Sequence, residues 1–267
     1  MELDPRRYMT GESAIPSLGF SLYTKSWKPT GTVKARLVFI HGFSDHCNGP
    51  DFFFSYLASH GIEVHSFDQR GFGRSVQTPK QRGKSGPTKT VLLDMTEMIM
   101  TVLPSPYPVF LMGHSMGGQQ VLYYSTQGPA SILQQISGFI TEAPAIISPM
   151  LLARHNAEVE ADEMFHGYCT LEGMNKALDR AEYNTSAGRK QLGDATPRHE
   201  PSLLMLHGTS DDVCLPSSSE VYFGKCPLTD KELKLYNGWL HEMHTEIGED
   251  KLTFAQDVTQ WILSRSK

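Results

Sequence analysis

The chain has 267 residues, of which 39% are hydrophobic and 10% aromatic, so it can bury a large core as one globular domain. Its formal net charge is −5 and its pI about 6.1, which gives no sign of a polyanion-binding surface and predicts no nucleic-acid partner. Widely spaced cysteines, no apolar signal-peptide segment and no membrane-spanning apolar run predict a cytoplasmic protein, peripheral on lipid droplets or intracellular membranes at most.

Short apolar segments rich in β-branched and aromatic residues alternate along the chain with segments of helical periodicity. Strands are predicted, in chain order, at Phe20–Trp27, Arg36–His41, Glu63–Phe67, Pro108–Met112, Gly138–Glu142, Ser202–Leu206 and Glu232–Tyr236. Helices are predicted at Phe52–His60, Val91–Val102, Gly118–Tyr124, Glu172–Glu182 and Leu252–Leu263. This alternation predicts the α/β class, with a mostly parallel sheet covered on both faces by helices.

One interval departs from this alternation. Residues 145–200 contain one predicted helix and a polar, glycine-bearing stretch, but no predicted strand. We therefore expect residues 1–144 and 201–267 to form the α/β core and residues 145–200 to form a small inserted cap.

The strand that ends at Met112 leads into Gly113-His114-Ser115-Met116-Gly117, a G-x-S-x-G motif followed by a helical segment. A serine between glycines at a strand-to-helix turn is typical of a nucleophile elbow. The glycines let the strand and the helix approach closely, while the strained turn exposes the serine hydroxyl. Because a hydroxyl is a poor nucleophile without a base, Ser115 requires a histidine and a carboxylate as partners.

Both partner types follow later predicted strands. Asp211 and Asp212 come after the strand that ends at Leu206, and His241 and His244 follow the last strand. The order serine, acid, histidine is that of α/β-hydrolases. Asp211 is the expected acid with Asp212 as the alternative; His241 is the expected base, with His244 as a neighbour of the pocket.

A zinc site formed by the last two histidines is not expected, because a helical H-E-x-x-H motif needs one more residue between them. No metal and no organic cofactor is required by the predicted chemistry. The oxyanion hole has to come from backbone N–H groups, and we expect them at Met116, after the nucleophile, and at Phe43, after Gly42.

With these residues in place, the chain resembles the monoglyceride lipases of the serine α/β-hydrolase superfamily, especially the fungal ones. The matching segments are His41–Phe43, Phe67–Gly71, Met112–Gly118, Leu206–Gly208 and Lys231–His241. The resemblance implies Ser115 as nucleophile, Asp211 as acid, His241 as base, and Phe43 and Met116 as oxyanion donors. It also implies that Asp45 and Cys214 lie near bound substrate.

The resemblance implies hydrolysis of a small-molecule lipid ester, monoacylglycerol, to glycerol and a fatty acid. The alternatives are a broader carboxylesterase or lysophospholipase, and a non-catalytic hydrolase-like lipid-binding protein. The family has a longer cap at this point, whereas Ile146–Leu152 passes almost directly to Arg154–Glu158 here. The front of the lid is therefore expected to be shortened.

Overall fold

The computed structural model describes residues 4–146, 164, 167, 169–188 and 200–266. Within these residues, eight strands form one sheet, in the order β1-β2-β4-β3-β5-β6-β7-β8. The strands are β1 Tyr8–Ser17, β2 Phe20–Pro29, β3 Ala35–Ile40, β4 Ile62–Phe67, β5 Val109–His114, β6 Ile136–Glu142, β7 Ser202–Gly208 and β8 Lys231–Tyr236. All pairs from β4 to β8 are parallel, whereas β2 pairs antiparallel with both β1 and β4.

Helices connect the parallel strands. In the described part of the chain, the α-helices are α1 Asp51–Ser59, α2 Thr88–Met100, α3 Met116–Gln127, α4 Ala130–Leu133, α5 Leu171–Tyr183, α6 Pro216–Lys225 and α7 Asp250–Ser264. Shorter helical turns occur at Pro5–Arg7, Gly73–Ser75, Pro79–Gln81, Asn184–Gly188 and Met243–Thr245.

The sheet separates two hydrophobic clusters. On one face of the sheet, Val38 of β3 packs in a cluster with apolar side chains of α2. On the other face, Leu37 and Phe39 of β3 belong to a cluster that includes Phe254 of α7. All four side chains are fully buried, and each such burial stabilises the fold by about 1.5–3 kcal/mol. Helices on both faces explain why this strand is apolar at successive positions.

The predicted fold class is confirmed, and each predicted strand and helix is present with bounds shifted by a few residues. Among the elements that were not predicted are strand β1 and helices α4 and α6. Strand β1 is an edge strand that is almost entirely exposed, so its sequence shows no buried alternation. Helix α6 begins at a proline followed by serines, which are weak helix formers, and was not predicted.

Helix α5 lies within the predicted cap and confirms the helix expected there. Beyond Ile146, the segment predicted to be a shortened lid front lies outside the described residues. Across the described part of the chain, no helix combines the length and apolarity needed to cross a bilayer. None of the four cysteines, all of which are described, is in a disulfide.

Candidate active site

Ser115 occupies a strained turn between β5 and α3. Its backbone has φ 52° and ψ −116°, a conformation that L-residues rarely adopt. A side chain at Gly117 would collide with the carbonyl oxygen of Ile40, and one at Gly113 with the backbone of Gly117. The amide of Ser115 donates to the carbonyl oxygen of Glu142 at 2.9 Å. The flanking glycines therefore permit the close approach that presents the hydroxyl at the carboxyl edge of the sheet.

Asp211 lies in the loop after β7, and its buried carboxylate contacts His241. The distance from Asp211 Oδ2 to His241 Nδ1 is 2.7 Å, while Oδ1 accepts from the amides of Val213 and Cys214 at 2.8 and 2.9 Å. Burial raises the pKa of Asp211, but hydrogen bonds from His207 and His241 outweigh it and hold that pKa well below its usual range. Asp211 is thus ionised at neutral pH.

The burial and the contacts of the side chains show which candidate acid and which candidate base lie together. Asp212 is exposed to solvent, whereas Asp211 is buried beside the imidazole of His241. His244 lies against Glu142, with its Nδ1 atom 2.8 Å from Oε1. Asp211 and His241 therefore form the acid–imidazole pair, and His244 has a different partner.

His207, at the end of β7, is a second imidazole on the same carboxylate. Its Nε2 atom lies 3.0 Å from Asp211 Oδ2 and 2.7 Å from the carbonyl oxygen of Cys214. Since a carbonyl oxygen can only accept, Nε2 carries the hydrogen, and Nδ1 accepts from the hydroxyl of Ser219 at 2.8 Å. Sequence reasoning did not find this role, although a histidine that ends a fully buried strand requires polar partners.

The loop between β8 and α7 brings His241 to the nucleophile elbow. A side chain at Gly208 would collide with the carbonyl oxygens of Trp239 and Leu240, so the glycine allows this loop to lie against the end of β7. On the other side, Nε2 of His114 lies 3.2 Å from the carbonyl oxygen of His241. With Nδ1–H directed at the acid, the Nε2 atom of His241 is left to accept a proton.

The loop after β3 passes close to Ser115. A Cβ atom at Gly42 would lie 3.4 Å from Cβ of Ser115. Within the described part of the chain, the amides of Phe43 and Met116 donate no hydrogen bond. Two unpaired backbone donors near a serine hydroxyl are the groups that the predicted oxyanion hole needs.

His41 fixes the start of that loop. Its Nδ1 atom donates to the carbonyl oxygen of Gly42 at 2.7 Å, and its Nε2 atom accepts from the amide of Gln69 at 2.8 Å. Complete burial lowers the pKa of His41 to about 4, so its imidazole is neutral at neutral pH.

Three buried side chains beneath the site could supply metal ligands. The candidate ligand atoms of His114, Glu142 and His244 all lie within 4.8 Å of one another. However, both carboxylate oxygens of Glu142 lie within hydrogen-bond distance of Nδ1 of His244, at 2.8 and 2.9 Å. Glu142 also raises the pKa of His244 to about 9, so the arrangement has the chemistry of an ion pair.

Asp45 and Cys214, the two residues predicted to lie near substrate, differ in their burial and in their contacts. Asp45 is partly buried near the elbow, its Oδ1 atom accepts from the amide of His46 at 2.6 Å, and burial raises its pKa to about 6. Cys214 is only 1% exposed, and its backbone contacts Asp211 and His207. The substrate-binding role of both residues stays a prediction.

Similar proteins define the family. The family model described as serine aminopeptidase, S33, matches residues 31–161 and 152–248. A provisionally named monoglyceride lipase of Schizosaccharomyces pombe is 32% identical and covers 92% of this chain and 72% of its own length. The chain belongs to the monoglyceride lipase-like α/β-hydrolases. The monoglyceride lipase of Rattus norvegicus is 26% identical to this hydrolase over 92% of the chain and 88% of the rat protein.

A solved structure has the same fold as this hydrolase. It is a soluble variant of the monoglyceride lipase from Saccharomyces cerevisiae in complex with a substrate analogue, with a TM-score of 0.83 at 22% identity. The match covers 96% of this chain and 95% of the yeast chain.

Proposed function

We propose that this chain hydrolyses monoacylglycerol to glycerol and a free fatty acid through an acyl-enzyme on Ser115. The observation that carries the proposal is the 2.7 Å contact between Asp211 Oδ2 and His241 Nδ1. This acid–imidazole pair lies beside the turn that holds Ser115 at positive φ between a strand and a helix. The relatives named as monoglyceride lipases indicate the substrate class.

In the first half of the reaction, Nε2 of His241 takes the proton of the Ser115 hydroxyl. The oxygen attacks the ester carbonyl carbon, a new carbon–oxygen bond forms, and the carbonyl electron pair moves onto its oxygen. The amides of Phe43 and Met116 donate to that oxyanion, and one such donor contributes about 100- to 1,000-fold in rate. Asp211 holds the imidazole tautomer and stabilises the imidazolium.

Collapse of the tetrahedral intermediate breaks the bond to glycerol, whose oxygen takes the proton from His241. In the second half, His241 removes a proton from water, and the resulting hydroxide attacks the acyl-enzyme. The fatty acid leaves as the Ser115 oxygen recovers its proton. All of these steps use side chains and backbone groups of this chain.

We also propose that residues 145–200 act as a cap over this site, as the sequence predicts. The amide of Gly167 donates to the hydroxyl of Ser44, in the loop that carries the oxyanion donor Phe43, at 2.6 Å. From α3, the amide group of Gln119 donates to the carbonyl oxygen of Ala177 in α5 at 2.9 Å. These contacts link the cap interval to the nucleophile helix and to the oxyanion loop.

Steady-state turnover tests the function. The wild-type protein should hydrolyse a long-chain monoacylglycerol with a higher kcat/KM than a lysophospholipid or a short nitrophenyl ester. Ser115→Ala should abolish turnover and fluorophosphonate labelling while the circular dichroism spectrum is unchanged. Ser131→Ala, at an exposed serine of α4, is the matched control and should retain both. Full labelling of Ser115→Ala would refute the nucleophile assignment, and equal or better turnover of lysophospholipid would refute the substrate.

Peripheral contact with membranes or lipid droplets is a further part of the proposal. Leu171, at the start of α5, is 90% exposed, and the preceding residue Thr170 donates its amide to the carbonyl oxygen of Gly83. Lys80, Arg82 and Lys84, in the same loop as Gly83, are exposed. A Leu171→Asp variant should sediment less with lipid vesicles than the wild type; equal sedimentation would contradict this contact.

A further inference from the structure

Two buried ionisable side chains in the site have no part in the proposed reaction. Glu142 ends β6 with its side chain fully buried, and His244 follows His241 in the loop before α7. The Nδ1 atom of His244 lies 2.8 and 2.9 Å from the carboxylate oxygens of Glu142, and the amide of His244 donates to Oε1 at 3.0 Å. The buried carboxylate of Glu142 therefore contacts both the side chain and the backbone of His244.

The same residue also touches the nucleophile elbow. The backbone carbonyl oxygen of Glu142 accepts from the amide of Ser115 at 2.9 Å. Glu142 therefore contacts the turn that carries the proposed nucleophile through its backbone and the loop that carries the proposed base through its carboxylate. Since proton transfer requires Ser115 and His241 to stay within hydrogen-bond reach, the relative position of these two segments determines the rate.

We propose that Glu142 and His244 form a buried ion pair that positions the His241 loop against the Ser115 turn, and that loss of this pair limits activity at alkaline pH. Both are positioning residues, because each acts through a neighbour. The inference rests on the proposed function only in taking Ser115 and His241 as the reacting groups.

The charges around His244 support a protonated imidazole. Burial lowers the pKa of His244, but Glu142, followed by Asp45 and Glu242, raises that pKa to about 9. His114, whose ring centroid lies 5.0 Å away, has a pKa lowered by burial and by the neighbouring imidazoles, so it adds no competing charge at neutral pH. His244 is thus the cation that compensates the Glu142 carboxylate.

The direction of the pH effect follows from the sign of this shift. The pKa of His244 in the folded protein lies above the unfolded value, so the stability that the ion pair contributes is fully present below the ordinary histidine pKa of 6.5. It is lost as the pH rises through about 9. Above that pH, a neutral imidazole faces the buried carboxylate, and the charge-assisted hydrogen bond that holds the loop is weakened.

The rate of fluorophosphonate labelling of Ser115, measured as a function of pH, tests the positioning role. The wild type should lose reactivity on the alkaline side with a midpoint near the pKa of His244. Glu142→Gln and His244→Gln should be on the order of 10- to 100-fold slower at neutral pH, with no further alkaline loss. For monoacylglycerol, kcat should fall in both variants while KM stays within about twofold.

Glu63→Gln is the matched control. Glu63 is also a buried carboxylate with an imidazole partner, His65, at 3.2 Å. It lies near the amino end of β4, however, whereas the site lies at the carboxyl ends of the parallel strands. Its variant should be less stable than the wild type yet keep the wild-type pH profile. Wild-type rates in Glu142→Gln and His244→Gln would overturn the inference. Slower rates with an unchanged alkaline decline would also overturn it, because they indicate a general structural role.

A titration by histidine NMR separates this inference from the proposed function, since it needs no activity. In Ser115→Ala protein, the His244 resonance should titrate well above the other histidines, and adding Glu142→Gln should remove that alkaline shift. If wild-type protein neither labels nor turns over ester, the proposed function fails while this titration still decides whether the ion pair exists. If Glu142→Gln does not fold, His244→Gln and the titration of the Ser115→Ala protein decide the matter. An ordinary or lowered midpoint for His244 would overturn the ion pair.

Discussion

Asp211 and His241 lie 2.7 Å apart through Oδ2 and Nδ1, although they belong to loops that follow different strands. The parallel register of β7 and β8 pairs Gly208 with Tyr236, so both strands end at the same level of the sheet. The loops that follow are joined by a hydrogen bond from the amide of Ser210 to the carbonyl oxygen of Trp239. The acid and the imidazole therefore meet because two neighbouring parallel strands end together.

Replacing this acid should remove most of the activity. Asp211→Asn keeps the side-chain shape, but its amide no longer selects the imidazole tautomer or stabilises the imidazolium. We expect kcat to fall by about 10,000-fold. Asp212→Asn, at the exposed neighbour, should keep wild-type kcat. Comparable losses in the two variants, measured on the same ester, would contradict the assignment of the acid.

The strained backbone of Ser115 should be visible in stability. Ser115→Gly relieves the positive φ, whereas Ser115→Ala keeps a Cβ atom in that conformation. We expect the glycine variant to have a free energy of unfolding about 1 kcal/mol higher than the alanine variant, measured by urea denaturation. Equal midpoints and slopes for the two variants would show that the turn holds no such strain.

Close backbone approach at the elbow makes Gly117 intolerant of a side chain. In Gly117→Ala, the new Cβ atom would collide with the carbonyl oxygen of Ile40, so β3 and α3 have to separate. We expect a loss of about 3 kcal/mol or more, or failure to fold. Gly224→Ala in α6 meets no atom within 4 Å and should be stabilising by about 0.5–1 kcal/mol. Thermal unfolding of both variants checks the contrast.

His41 should make the protein sensitive to mild acid. Its folded pKa of about 4 lies below the ordinary value of 6.5, so the unfolded chain takes up a proton that the folded chain refuses. This contribution to stability is complete above the ordinary value and is lost as the pH falls from there to about 4, with a maximum of about 3 kcal/mol. Asp68 and His46 are ionisable neighbours that also affect the pKa of His41, in opposite directions.

In His41→Gln, the side chain at this position no longer titrates. The free energy of unfolding of this variant should therefore fall less than that of the wild type over the same acid interval, as measured by urea denaturation at a series of pH values. Parallel curves for the two proteins would mean that other groups account for the acid sensitivity.

The parts of the fold that bury an apolar pattern could be predicted from the sequence. Strand β3 was predicted from its continuous apolar run and helix α2 from the helical spacing of its apolar residues, and the mostly parallel sheet was predicted from the alternation of strands with helices. Strand β1 could not be predicted in the same way, because pairing with β2 fixes it while seven of its ten residues, Met9–Ala14 and Pro16, are exposed. Its stability comes from backbone pairing, which leaves no hydrophobic signature.

For the site, sequence could indicate residue types and strand ends but not partners. Ser115, Asp211 and His241 were predicted by their order and their position after strands. Which oxygen or nitrogen each residue faces depends on tertiary contacts. The pairing of Glu142 with His244 joins residues that are far apart in the sequence, and β6 and the last loop each look ordinary alone.

Within the described residues, β1 and β8 are the two outermost strands, and neither pairs with a strand on its outer side. Glu12 and Pro16 lie on the first of them, and Lys231, Glu232 and Lys234 on the second. Charged side chains and a proline on such borders discourage a strand of another molecule from extending the sheet. We therefore expect these side chains to disfavour the addition of strands from other molecules when the protein is concentrated.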